Sequence, residues 1–203
     1  MFGKVAADVL GLSDIGSVIH PENYDKVDSD DYIMHEDGEK IYFLIKSKSY
    51  EYCFTNKALI HLDGTSAMSK KRVLRRLDYY NHHISGVLLE TAGTVDLDVE
   101  IKFKMGSIPY SIDVHKKHLE ELKDLYKVLT KIAEISNDNE QILKYAQQSL
   151  QVASSTLNRH AAEEDLVGQF EKLNQLSFSW LVDAKKKYCL KDYGFVFDQF
   201  INN

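Results

Sequence analysis

Three groups of side chains in this 203-residue sequence have types and spacings that chemistry uses. Asp96, Asp98 and Glu100 place three carboxylates at alternate positions. Paired acids can exchange protons with a substrate or hold a hard cation. His82 adjoins His83, and His115 stands three residues before His118, a spacing at which two imidazoles on a helix can share a metal ion. Lys70, Lys71, Arg72, Arg75 and Arg76 form one dense basic run in a chain of net charge −6. Such a run can bind a phosphate or an anionic lipid headgroup.

Each group also has a plainer explanation. The three acids alternate at steps of roughly 7 Å on what reads as a strand, and Lys102 and Lys104 continue the row. That is the pattern of a solvated face with cross-strand charge pairs. No cysteine or carboxylate completes a metal signature around the histidines, which read as surface or cap residues. The basic run reads as a solvated strand or a contact to an acidic neighbour, and it stays the candidate anion- or lipid-binding set. No Gly-rich phosphate loop, G-x-S-x-G, H-E-x-x-H or C-x-x-C occurs. Ser, His and Asp are all present, but a triad is defined by geometry. The expected catalytic and metal sets are therefore empty. No cofactor is expected, and the chain reads as a non-enzyme.

Composition narrows the class. The chain is 44% hydrophobic and 28% charged, which suits a folded globular protein and not a disordered one. Its acidic balance disfavours nucleic acid. Cys53 and Cys189 fit no spacing motif and read as free thiols in a reducing compartment. The first residues hold no apolar run long enough for a signal peptide, and no run of ~18 apolar residues occurs. A cytoplasmic protein is the expectation.

The elements that must position these groups show three changes of period. Residues 1–20 read as two short helices, with Gly11 ending the first and Ser13 capping the second. Pro21 then opens a polar, acidic loop. From residue 39 the period becomes that of strands. Residues 39–48 are apolar on both faces and read as a strand covered on both sides. Further strands are expected at 50–55, 57–63, 70–77, 87–91, 95–105 and 108–113. Residues 70–77 fit a helix nearly as well. In residues 95–105, Val95, Leu97, Val99, Ile101, Phe103 and Met105 make one dry face. From His115 an amphipathic helix runs to Ser136 and is interrupted by Asn137, Asp138 and Asn139. Helices over about 140–159 and 163–188 then form a hairpin with near-heptad stripes. Phe195, Val196, Phe197, Phe200 and Ile201 follow, too apolar for a two-helix hairpin to cover.

Seven strands followed by one amphipathic helix is the outline of a pleckstrin-homology (PH) domain. Phe54-Thr55-Asn56-Lys57, Leu59-Ile60 and Asp63-Gly64 resemble the corresponding stretch of the bacterial PH-like family. The string from Glu90 through Thr91, Ala92, Gly93, Thr94, Val95, Asp96 and Leu97 to Asp98 resembles that family's most recognisable segment, and Asp8-Val9-Leu10-Gly11-Leu12 is also similar. The likeness runs from about residue 8 to 133. Residues 138–203 are similar to the helical extension of the YvbH-like subgroup, which is regarded as an oligomerisation region. The resemblance implies a PH-like barrel held in a homo-oligomer, and it carries no catalytic residue.

The expected fold is therefore α+β. A seven-stranded antiparallel PH-like barrel capped by a helix, with short N-terminal helices, fills 1–136. A helical hairpin for oligomerisation fills 137–203. The expected function is a binding or scaffold module assembled through that hairpin, presenting a surface to a protein or an anionic ligand. The candidate interface is Leu150, Leu157, Phe170, Leu173, Trp180, Phe195, Phe197 and Phe200. The alternative is a membrane-surface adaptor that reads lipid headgroups through Lys70, Lys71, Arg72, Arg75 and Arg76. A remote third reading is an enzyme with an unrecognised site.

Overall fold

The computed structural model describes residues 14–64, 72–91, 98–158 and 166–201. Two antiparallel sheets carry the strands. Sheet one has the order β1(Ser17–Val18), β2(Ile41–Lys46), β3(Tyr50–Thr55), β4(Ala58–Gly64), β5(Arg72–Asp78). Sheet two has the order β6(Ile84–Glu90), β7(Asp98–Met105), β8(Ile108–His115). Three helices follow, α1(Leu119–Asn158), α2(Leu166–Tyr188) and α3(Gly194–Phe200). The fold is α+β, with two corrections to the expected PH-like barrel. There are eight strands among the described residues, and the sheets do not close, because β5 and β6 are not paired.

The eighth strand replaces an expected helix. Ser17 and Val18 pair with Lys46 and Ile45 of β2, and Gly16 forms a parallel bridge to Val114 of β8. Gly16 N donates to Asp113 O at 2.9 Å, and His115 N donates to Gly16 O at 2.9 Å. This bridge joins the two sheets along one side. A Cβ on Gly16 would lie 2.8 Å from Ile45 Cγ2 and 2.9 Å from the Asp113 carbonyl, so close approach of the backbone needs glycine there. The expected helices of residues 1–13 lie outside the described residues.

β2 is apolar on both faces because both are covered. Phe43 and Ile45 face sheet two, and Phe54 of β3 meets Phe103 of β7 across the gap, with ring centroids 6.1 Å apart. On the outer face, Leu44, Cys53 and Ile60 pack with Ile19, Val27 and Ile33. The residues that precede β2 form three short 3-10 turns laid over sheet one. Buried carboxylates pin this overlay. Glu51 accepts from Ser29 N at 2.9 Å and pairs with Lys46 at 2.6 Å. Glu39 accepts from Met34 N at 3.0 Å, Thr55 Oγ1 at 2.6 Å and Arg76 at 2.9 Å. Burial pushes the Glu39 carboxyl up, but these three donors outweigh it and hold the carboxyl below its ordinary range.

β6 starts earlier than its alternation suggests. A bulge between Ser85 and Leu88, with Gly86 at φ +60°, breaks the period there. β8 runs two residues further than expected, to His115. α1 also differs from expectation, since it passes through Asn137, Asp138 and Asn139 without a break. These residues are poor helix formers by only tenths of a kcal/mol each, too little to stop an established helix.

The chain divides into two compact units, Met1–Ala133 with Lys191–Asn203, and Glu134–Leu190. In the first, Leu122, Leu125, Val128, Leu129 and Ile132 of α1 form a fully buried stripe. The C-terminal segment returns to this unit. Tyr193 N donates to Asn56 O at 2.7 Å, and Asn56 Nδ2 donates to Asp192 at 2.7 Å. Phe197 stacks on Tyr42 at 4.9 Å and is fully buried.

Candidate functional site

The two described side chains of the basic run, Arg75 and Arg76, do not share a face. On β5, Arg75 is opposite His61 in register and Arg76 is opposite Ile60, so their side chains leave on opposite faces of sheet one. Arg76 is held between Glu39 and Asp78, at 2.9 Å from each, and serves the outer face. Arg75 is exposed on the inner face. Arg72 begins β5, and Lys70 and Lys71 lie outside the described residues.

The acids and histidines are also dispersed. Glu100 and Glu90 share Lys102, each at 2.9 Å, and Ser111 donates to Glu100. Burial contributes little at Glu100, and the hydrogen bonds from Ser111 and Lys102 hold its carboxyl below its usual range. This is a cross-strand charge network. Asp96 lies outside the described residues. His115 ends β8 and accepts from Lys117 N, whereas His118 contacts Glu121 at 3.1 Å. Among the described residues, no group of three or more His, Cys, Asp or Glu is placed to hold a metal ion. Cys53 is buried, which pushes its thiol well up, and Cys189 is a second free thiol.

The most exposed large apolar side chains among the described residues belong to the second unit. Leu150 of α1 and Leu173 of α2 are half-buried and line a groove of about 440 Å³ with Gln147, Ser154, Phe170 and Ser177. The seam between the helices is therefore incompletely filled. Along α2, Val167, Phe170, Leu176 and Phe178 are 71%, 67%, 68% and 69% exposed. Trp180 is also exposed, as are Tyr145 and Val152 of α1. At 3.6 residues per turn, the apolar residues from Leu176 through Leu173 and Phe170 to Phe178 and Val182 sweep an arc of about 240° around α2. A helix with one partner needs an apolar stripe of little more than about 100°.

Of the expected interface, Leu150, Phe170, Leu173 and Trp180 lie in this unit, and Leu157 lies near the end of α1. Phe197 does not fit the expectation, because it is core of the strand unit. Phe195 is exposed and Phe200 half-buried on the same short helix as Phe197. Val167, Leu176, Phe178, Tyr145 and Val152 were not among the candidates. Their signal was the width of the apolar arc, which a search for one stripe overlooks.

Residues 9–133 match the bacterial PH domain family, and residues 144–203 match the YvbH-like oligomerisation region. The chain belongs to the bacterial PH domain family. It is 54% identical, over the full length of both, to the uncharacterised protein YvbH of Bacillus subtilis (strain 168). It is also similar to a crystal structure of a PH-domain-containing protein from Exiguobacterium sibiricum 255-15. That match has 52% identity and a TM-score of 0.86, and covers 93% of this chain and 100% of the other. The PH match spans both sheets and the first part of α1. The oligomerisation match spans the exposed arc of α2, and it also includes α3, which packs in the PH unit.

Proposed function

We propose that this PH-domain protein is a non-enzymatic scaffold that assembles into a homo-oligomer through α1 and α2 of the Glu134–Leu190 unit. Each subunit then presents one PH-like unit to a protein or an anionic ligand. The observation that carries the reading is the apolar arc of α2, wider than a single neighbouring helix covers. The partly filled groove along the seam supports it, since it leaves room for side chains of a second hairpin. The match to an oligomerisation region adds to this. Clustering several units raises the avidity of a weak single site without new contacts. A cytoplasmic location is part of the proposal. Among the described residues no helix is long and apolar enough to cross a membrane. Light scattering on the full chain tests the assembly. A mass that is a multiple of 23.3 kDa is expected, and a monomer at all concentrations overturns it.

The lipid-adaptor reading draws less support. It needs Lys70, Lys71, Arg72, Arg75 and Arg76 to act together, and Arg76 is committed to Glu39 and Asp78 on the opposite face from Arg75.

A further inference from the structure

Among the described side chains of α2, Ala184 alone is buried. Gly168, Leu173, Ser177, Leu181, Val182 and Tyr188 are half-buried, and the others are exposed. A 23-residue helix with so little buried surface is marginal in water, because helices in proteins draw most of their stability from packing. The distal part of α1 meets a smaller problem. It continues a helix already fixed by Leu122, Leu125, Val128, Leu129 and Ile132, so its nucleation is complete. α2 has no such start. Its shielded residues gather towards its C-terminal end, at Leu181, Val182, Ala184 and Tyr188, and the shielding continues through Cys189 and Leu190.

That end is where the chain is fastened. Cys189, Leu190 and Lys191 separate α2 from Asp192, and the segment from there to Ile201 belongs to the PH unit. Asn56 is the anchor, 3% exposed and with each of its polar groups in use. Its N–H donates to Lys40 O and its Oδ1 accepts from Lys40 N, which fixes the side chain. Its Nδ2 donates to Asp192, and its carbonyl accepts from Tyr193 N, both at 2.7 Å. Asp192 Oδ1 accepts in turn from Gly194 N at 2.8 Å, where α3 begins. A Cβ on Gly194 would lie 2.8 Å from the Tyr42 hydroxyl, so the segment approaches closely only with glycine there. Tyr193 stands edge-on to Tyr79 at 5.8 Å, and Val196 and Phe197 are fully buried. A seven-residue helix does not persist in water by itself. The segment therefore has two states, docked and helical or released and unfolded.

We propose that this segment is a clasp that orders α2, and that its docking sets how tightly copies of the chain assemble. The chain enters and leaves the Glu134–Leu190 unit through points fixed in the PH unit, beside Ile132 and at Asp192. With both ends held, α2 has less chain entropy to lose on ordering. Once the clasp is released, neighbouring copies alone must order α2, and association weakens although no residue of the exposed arc has changed. The inference rests on the assembly reading and adds to it a control outside the arc.

The test uses the full chain at neutral pH. Asp192→Ala removes the bonds to Asn56 and Gly194 from an exposed position and keeps the fold. Adding Phe197→Ala removes the buried ring as well. Phe103→Ala is the control, because it empties a buried site of the same unit on β7 and is expected to cost about as much stability as Phe197→Ala. Hydrogen exchange read by mass spectrometry follows the α2 amides, and light scattering over a dilution series gives the dissociation midpoint. In the double variant the α2 amides should exchange about tenfold faster or more, and the midpoint should rise by a similar factor. Asp192→Ala alone should shift both in the same direction by less, and Phe103→Ala should leave both near the natural values. Unchanged exchange in both clasp variants overturns the proposal, as does a Phe103→Ala protein that matches the double variant. Faster exchange with an unchanged midpoint overturns the link to assembly. A natural chain that is monomeric at all concentrations overturns the assembly reading and that link together, while the exchange rates still decide whether the clasp orders α2.

Discussion

The PH unit and the hairpin unit treat the same residue types in opposite ways. In the PH unit, Phe54, Phe103 and Phe197 are almost wholly buried, and each touches at least one other aromatic ring. In the hairpin, Phe170 and Phe178 are about two-thirds exposed (67% and 69%). The PH unit also gives its buried carboxylates Glu39 and Glu51 hydrogen-bond and ion-pair partners. The hairpin leaves apolar surface that its own two helices do not cover. The proposed assembly rests on that difference, and it would leave the PH unit free to bind.

The comparison is best broken by a matched pair of truncations. Phe197→Ala empties a buried site between Tyr42 and Tyr79 and is expected to cost about 3–5 kcal/mol. Phe178→Ala should change the stability of the PH unit by less than about 0.5 kcal/mol, while weakening self-association. Chemical denaturation of both variants measures this. Equal losses would mean that the two phenylalanines are equally buried in the protein, against the structure.

Acid should act on the PH unit through His61. Burial, aided by Arg75 and opposed by Asp63, lowers its pKa from 6.5 to about 4. The unfolded chain takes up a proton below about pH 6.5, whereas the folded chain waits until about pH 4. Stability from this group is therefore full above pH 6.5 and falls as the pH drops towards 4, by at most about 3 kcal/mol. His61→Phe, which keeps a ring against Tyr52, should flatten that part of the stability profile. An unchanged slope between pH 6.5 and 4 would show that His61 is not buried neutral.

A smaller effect sits where the two sheets meet. Gly16→Ala pushes a methyl group against Ile45 and the Asp113 carbonyl and should cost about 1–3 kcal/mol. Hydrogen exchange should show faster opening at His115, whose amide bonds to Gly16 O. No change there would mean that the bridge contributes little to holding the sheets together.

Much of this was legible from local pattern. The seven strands from β2 to β8 and the helix α2 follow from periodicity, which neither joins the two parts of α1 across Asn137 nor marks α3 as a helix, and the double-sided apolar pattern of β2 foretold its two covers. β1 was not legible, because two residues carry no period and its warrant is a distant partner, Ile45. The bulge at Gly86 hid the start of β6 for the same reason. The basic run was visible as composition, but strand alternation already separates Arg75 from Arg76, and the buried partner Glu39 lies far away in sequence. His61 and Tyr110 carried no local signal at all. They stand 49 residues apart, and only the packing of β8 across β4 brings them together. Phe197 looked like Phe195 in the sequence; a rotation of about 200° around the helix and the docking site at Asn56 set their opposite fates.

The central claim is that the exposed arc of α2 is an interface between copies of this chain. Leu176 and Phe178 lie on sides of α2 about 160° apart, and both are exposed, so Leu176→Glu with Phe178→Glu charges the arc while leaving the PH unit untouched. Light scattering should give a multiple of 23.3 kDa for the natural chain and a folded species of 23.3 kDa for the double variant. The same mass for both proteins would contradict the account.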